Sequence, residues 1–403
     1  ASAQENWAQF RGPNGQGIST AKDLPVSWDS VTNIAWKTNI EGEAWSSPIV
    51  WGSHIFLTAT TEEGKNCHVM AVDTKTGKML WNKIVFTQTP NQHMHNMNSH
   101  ATPTPVTDGK TVYAVFSGGG FAALDFSGNV QWTNTEMNFY SQHGMGTSPI
   151  LYKDLLILAV NSSSREEKNL GFQKLWDKSY LLALDKNTGK ERWRGSRGMS
   201  RIAHSTPVVM QVEGKDQIIS MAGDVVQGFD PANGKQLWTV TSVGEPCVPT
   251  PAISDSFVYI AHTSKAPIRA VRPNGSGDCT ATHIAWETSG TTPMMSSLLY
   301  VKPYLYVCPD SRLCCLDAAT GELLWQIRLK GGQLNPSPLY ADGKIYTLSE
   351  QGVTTVLKPS NDPKTPAEIV SINALGGQAR ASIAVAGKQL IIRTANQLWC
   401  IGK

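Results

Sequence analysis

Apolar and polar positions along the chain fall into short runs, each bounded by a turn signal, and one pattern recurs. A small apolar pair leads to an Asp, then a Gly-containing turn, then a run ending in Trp. It reads AVDTKTGKMLW from Ala71, ALDFSGNVQW from Ala123, ALDKNTGKERW from Ala183, GFDPANGKQLW from Gly228 and CLDAATGELLW from Cys315. AVRPNGSGDCTATHIAW from Ala270 has the same frame with a lengthened turn, and VLKPSNDPKTPAEIV from Val356 is a copy without its Trp. The terminal Trp residues, at 36, 81, 132, 193, 238, 286 and 325, are separated by 45, 51, 61, 45, 48 and 39 residues. That is the period of a four-stranded propeller blade.

A second marker precedes each unit, a Ser/Thr-Pro pair or its equivalent: SSPIV at Ser46, ATPTPV at Ala101, TSPI at Thr147, STPVV at Ser205 and PTPAI at Pro249. It continues as SSLLY at Ser296, NPSPLY at Asn335 and ASIAV at Ala381. The eight markers predict eight blades. Strand A starts after the marker, where Pro is tolerated because the ladder has not begun. Strand B follows a tight turn, as in GKTVYAVF. Strand C ends in Ala-Leu-Asp, and a hairpin in which Gly supplies positive φ leads to strand D and its Trp, expected to dock between blades. The final unit supplies strands A to C (ASIAVA, KQLIIRT and NQLWCI), and its fourth is the orphan NIAWKTNI from Asn33. The fold expected is therefore all-β: an eight-bladed propeller over residues 34–403, closed by N-terminal strand pairing into the last blade, with residues 1–33 as a leader packed on it.

The repeat resembles that of PQQ-type propellers, found in quinoprotein alcohol dehydrogenases and in BamB-type outer-membrane assembly lipoproteins. The leader NWAQFRGPNGQG, from Asn6, is similar to the opening of many exported bacterial PQQ-like propellers. The resemblance implies the fold over nearly the whole chain and leaves function open, because the family contains both enzymes and scaffolds.

Composition adds limits. A net charge of +3 over 403 residues gives no basic footprint for nucleic acid. No apolar run is long enough for a transmembrane helix. The opening ASAQ fits the remnant of a cleaved signal peptide, so export to the periplasm or cell envelope of a bacterium is expected, as a monomer. The seven Cys show no zinc-type spacing and sit mostly in apolar runs, as small core residues do.

Candidate chemistry gathers in one segment, NQHMHNMNSHATPTPV, Asn91–Val106. Long connections of blades 1 to 4 emerge on the face of the D–A and B–C loops, and seven of the nine His map there or to its edge. One position per blade, three residues before the marker Pro, is expected at the channel mouth: Trp45, His100, Gly146, His204, Val248, Met295, Asn335 and Arg380. His143 is a further ligand-binding candidate. Imidazole with thioether suits copper and imidazole alone suits zinc, so His93, His95, His100, His143 and His204 form a candidate metal set, against the plainer reading of loop hydrogen bonding. Arg192, Arg194, Arg197 and Arg201 are either an anion-binding stretch or a solvated face. The segment EEKNLGFQKLWDK, from Glu166, is either an amphipathic helix packed on the propeller or a docking element.

The quinoprotein resemblance would imply PQQ with calcium, which needs hard oxygen ligands and an Asp base. The expected ring offers Asn335 and no acid, and the flanking loops hold Glu136 and Glu245. The adjacent pair Cys314–Cys315 resembles the adjacent-Cys disulfide of some quinoprotein dehydrogenases, yet it lies within a strand, where consecutive side chains face opposite ways. The expected function is therefore a non-catalytic binding scaffold using the His-rich face of blades 1 to 4 for a protein or small ligand. A PQQ-dependent oxidoreductase and a copper- or zinc-binding protein are the alternatives.

Overall fold

The computed structural model describes residues 5–89, 94–137, 139–166, 173–242, 247–262 and 266–402. Among these residues there is no helix, and the strands form eight sheets, each with four strands in an antiparallel meander. Blade 1 runs Ile49–Trp51, His54–Thr61, Asn66–Asp73 and Met79–Thr87 as strands A to D. Blade 8 has strands A to C at Ala384–Ala386, Gln389–Arg393 and Gln397–Ile401, and its strand D is Ile34–Asn39. That strand pairs antiparallel with Gln397–Ile401, Lys37 opposite Trp399, so the ring closes as expected.

Strands B and C are buried on both faces. Leu155–Val160 of blade 3 is buried at every position, whereas strand D of blade 1 alternates toward solvent. A blade has apolar side chains on both faces and no means of covering them alone, so each packs on its neighbours. Blade 4 gains a fifth strand from its neighbour. Gly277–Asp278, in the long C–D loop of blade 5, pairs parallel with Gln236–Thr241 and covers that edge.

The repeat motif is a blade-to-blade joint. The carboxylate of Asp73 accepts from the backbone N–H groups of Lys75 and Thr76 and so caps the C–D hairpin. Gly77 follows at φ 70°, with Trp36 of the preceding blade lying on it. The Trp36 indole N–H donates to Thr74 O at 2.9 Å. Trp81 repeats this on blade 2 with Phe126 O, Trp132 on blade 3 with Lys186 O, and Trp286 on blade 6 with Ala318 O. Blade 5 lacks the short turn, and Trp238 instead donates within its own blade, to Gln217 Oε1.

The leader crosses the hub of the propeller and bonds to the strands A of several blades. Trp7 exchanges both backbone hydrogen bonds with Val50 of blade 1, and Ala8 O accepts from Thr107 N of blade 2. Gln16 brackets blade 5, its Nε2 donating to Pro251 O and its Oε1 accepting from Ile253 N. Ile18–Ser19 adds a parallel strand to blade 7. Arg11, 2% exposed, donates to Gln16 O and Leu298 O. Burial pulls its guanidinium down to about 9.

Candidate functional site

Where strands A begin, two residues from each blade face the axis. The inner one is the Ser or Thr immediately before the marker Pro or its equivalent, and it locks the blades together. Ser47 N donates to Thr104 Oγ1 of the next blade, Thr104 N to Ser148 Oγ and Ser148 N to Thr206 Oγ1. The series resumes with Thr250 N to Ser297 Oγ, Ser297 N to Ser337 Oγ, Ser337 N to Ser382 Oγ and Ser382 N to Ser47 Oγ. All seven bonds measure 2.9–3.1 Å. Between blades 4 and 5 no such bond forms, and the buried Thr250 Oγ1 has no partner.

Two residues outward, each blade presents one residue to the same cavity. Blades 1 to 4 supply Trp45, Thr102, Gly146 and His204, and blades 5 to 8 supply Val248, Met295, Asn335 and Arg380. Blade 2 corrects the expectation. Its segment reads Thr-Pro-Thr-Pro, and strand A starts at Val106, so Pro105 and not Pro103 holds the marker position. Thr102 therefore lines the cavity. His100 sits between blades 1 and 2, its Nδ1 2.9 Å from Ser117 Oγ and its ring against Gly64. Phe10 of the leader reaches the same cavity. Its free volume is about 110 Å³, several times what one water molecule requires.

The mouth is shaped by residues 94–105, the described part of the connection between blades 1 and 2. Arg380 lies over the Trp45 ring at 4.9 Å and donates to Asn96 O at 2.8 Å, tying blade 8 to this loop. Asn98 Nδ2 donates to His143 O on the other side, and Met97 lines the cavity. Glu350, in the B–C loop of blade 7, lies behind the ring, its Oε2 3.4 Å from Asn335 Nδ2. No repeat position marks this carboxylate, because B–C loops have no common register across the blades.

The His residues form a file. His95 and His143 have ring centroids 5.1 Å apart, and His143 and His204 are 6.2 Å apart. Burial, then repulsion from His143 and His95, brings His204 down to about 3. Burial and His95 bring His143 to about 4, so both imidazoles are neutral at pH 7. The Nδ1 of His204 is buried and has no hydrogen-bond partner. His93 lies outside the described residues. Among the described residues, no group of three or more His, Cys, Asp or Glu is placed to hold a metal ion.

The other motifs resolve into structure. Arg192 pairs with Asp154 and Asp185, Arg194 with Glu191, and Arg201 with Asp224. Arg197 is fully buried and donates to Gln227 and Ser220. These arginines serve contacts within and between blades and do not make an open anion-binding patch. Gly118–Gly120 is the B–C turn of blade 2, with Gly119 at φ 91°. Residues 167–172 of the charged segment lie outside the described residues. The part that follows contains no helix, and Trp176 pairs with Ser200 as an isolated bridge.

A quinone with calcium does not fit this cavity. No ring position carries a carboxylate, and the free volume of about 110 Å³, with Phe10 among its lining residues, is small for a planar tricyclic group. The seven cysteines are free and buried. Cys314 and Cys315 enter separate clusters on the two faces of their strand, one with Leu305 and Val307, the other with Tyr306 and Trp325.

The family model described as outer membrane protein assembly factor BamB matches residues 17–165, 175–278 and 280–365. The chain belongs to that family of PQQ-like propellers. Among solved structures, BamB from Moraxella catarrhalis is similar with a TM-score of 0.60 at 15% identity, covering 92% of this chain and 97% of that one. The computationally designed Ika8 protein gives a TM-score of 0.61 at 11% identity, with 90% and 98% covered. A europium-containing methanol dehydrogenase gives 0.57 at 11% identity, with 99% and 98% covered. No curated protein matches the sequence. Identities this low carry the fold alone.

Proposed function

We propose that the protein is a non-catalytic scaffold of the bacterial cell envelope that binds a protein partner through the loop face of blades 1 to 4. The observation that carries this reading is a small ribbon built from two loops. The backbone of Trp176, in the B–C loop of blade 3, pairs with Ser200 in the loop between blades 3 and 4. Beside these bridged residues, Leu175 and Met199 are 48% and 55% exposed. The Trp176 indole is anchored to Ser162 Oγ, so the ribbon is held to the propeller. Apolar side chains presented on a fixed frame suit protein contact better than chemistry. The family's name-giving member is an assembly factor, which supports a binding role, and no described helix is long and apolar enough to cross a membrane.

The test is site-specific photocrosslinking in the producing cell. Probes replacing Leu175 and Met199 should each yield the same discrete adduct, and a probe replacing the equally apolar rim residue Leu323 should not. An adduct pattern identical at all three positions, or none at 175 and 199, would sink the proposal. Leu175→Asp with Met199→Asp should abolish the adduct trapped from a third probe nearby without altering the thermal midpoint.

A further inference from the structure

The hydroxyl ring has a donor excess that its role in joining blades does not use. Seven of its hydroxyls, all but that of Thr250, each accept one backbone N–H, and none of the seven donates its own proton to a protein acceptor around the cavity. The same seven residues line the axial cavity. A hydroxyl whose lone pair is held by a neighbour's N–H is oriented, with its O–H left to point elsewhere. Seven such groups arranged around one axis present their donors to a common space.

The outer ring adds to this. Arg380 brings a guanidinium, and its Nε is buried without a partner. The unpartnered Nδ1 of His204 belongs to a second lining side chain. Acceptors are scarce: the amide oxygen of Asn335 is one, and the nearest carboxylate, Glu350, stands behind Asn335 and outside the lining. A wall rich in donors, with one positive charge and no negative one, is complementary to an anion. The apolar half of the outer ring is Trp45, Val248 and Met295, and Thr102 turns its hydroxyl to Ser99 O. That half disfavours a fully hydrated inorganic ion and suits a short carbon chain.

We propose that the propeller axis is a binding site for a small aliphatic monocarboxylate, with its carboxylate toward the hydroxyl ring and Arg380 and its carbon chain against Trp45, Val248 and Met295. The volume of about 110 Å³ sets the size at a few carbons. The site lies beneath the loop face and stands whether or not that face takes a partner.

Titration calorimetry of the full chain, dialysed into an anion-poor buffer at pH 7, tests this with acetate, propionate and butyrate against chloride and phosphate. The expected result is saturable one-to-one binding of the carboxylates, with propionate or butyrate tighter than acetate and chloride weaker by at least tenfold. Arg380→Gln should weaken carboxylate binding tenfold or more. Met295→Trp, which fills the cavity without touching the hydroxyl ring, should abolish it while leaving the circular dichroism spectrum unchanged. Absence of saturable heat with any carboxylate would mean that the ring holds only water, and the proposal fails. Chloride or phosphate binding as tightly as the carboxylates would mean an unselective anion site, and the carboxylate class is then wrong. Neither outcome touches the crosslinking result, which reads residues on the outer ribbon.

Discussion

The indole of Trp81 lies flat on Gly128 of the next blade and donates to Phe126 O at 2.8 Å. Gly128 has φ 86°, and a Cβ there would stand 2.8 Å from the Trp81 ring. The glycine thus serves the hairpin and the joint at once. Gly343 has a similar φ of 72° but nothing within 4 Å of its Cβ position. Gly128→Ala should therefore destabilise by about 2 kcal/mol or more, and Gly343→Ala by clearly less, since only backbone strain applies there. Chemical denaturation of the two variants gives the comparison. Adding Trp81→Ala should remove most of the difference, because the clash has lost its partner. Equal costs at both glycines would show that the turn conformation alone selects the residue.

Thiol reactivity separates this propeller from one with an adjacent-Cys disulfide. All seven cysteines are free and buried, and burial lifts Cys67, Cys247, Cys308, Cys315 and Cys400 to about 12. A thiol reagent attacks the thiolate, so the native protein at pH 8 should label at none of them within the time that denatured protein labels fully. In denaturant without reductant, all seven should react. A count of five would place a disulfide in the chain, with Cys314–Cys315 the first pair to map.

The repeat could be read from the sequence because each of its letters has one local job. Asp73 caps a turn, Gly77 takes positive φ, and Trp81 reaches a fixed distance to the next blade. Strand and turn lengths then keep the spacing constant. Ring closure was legible for the same reason, since Trp36 had no unit of its own. The cavity was less so. The doubled Pro of Thr102–Pro105 shifted the register by two residues and put His100 in the place that Thr102 occupies. Phe10 reaches the axis from the leader and Glu350 stands behind Asn335 from a B–C loop, and nothing in their local sequence encodes either placement. The Ser/Thr before each Pro was visible as a marker, yet its hydroxyl accepts from the amide of the matching residue on the preceding blade, 40 to 58 residues away along the chain.

Three backbone carbonyls and one side-chain amide of the leader accept from four strand A segments, so its removal has a local signature. A chain starting at Thr20 leaves the amides of Val50, Thr107, Ile253 and Tyr340 without the acceptors they have in Trp7, Ala8, Gln16 and Gly17. Each lost bond costs about 1 kcal/mol. The truncated protein should melt lower, and hydrogen exchange should quicken at those four amides before it quickens in strands B and C. Uniformly faster exchange would mean that the leader supports the whole ring and not its hub.

Acid should destabilise the fold through His204 and His143 ahead of the carboxylates. His204 and His143 are held neutral, at about 3 and about 4, against 6.5 for the unfolded chain. Between those values the unfolded state binds protons that the folded state refuses. The sign follows: stability is at its plateau above pH 6.5 and falls as pH drops toward 4, because the folded pKa values are depressed. His204 lines the axial cavity and stacks on His143, which is partly exposed, so the slope for the pair is of order 1 kcal/mol per pH unit between 6 and 5. Carboxylates contribute little in that interval. Thermal unfolding followed from pH 7 to pH 5 should therefore show a falling midpoint in the wild type. His204→Gln, which keeps a polar side chain that cannot titrate, should flatten the curve while lowering its plateau. A variant as steep as the wild type would place the acid sensitivity elsewhere, with the fully buried His262, brought to about 4 by burial, the next group to replace.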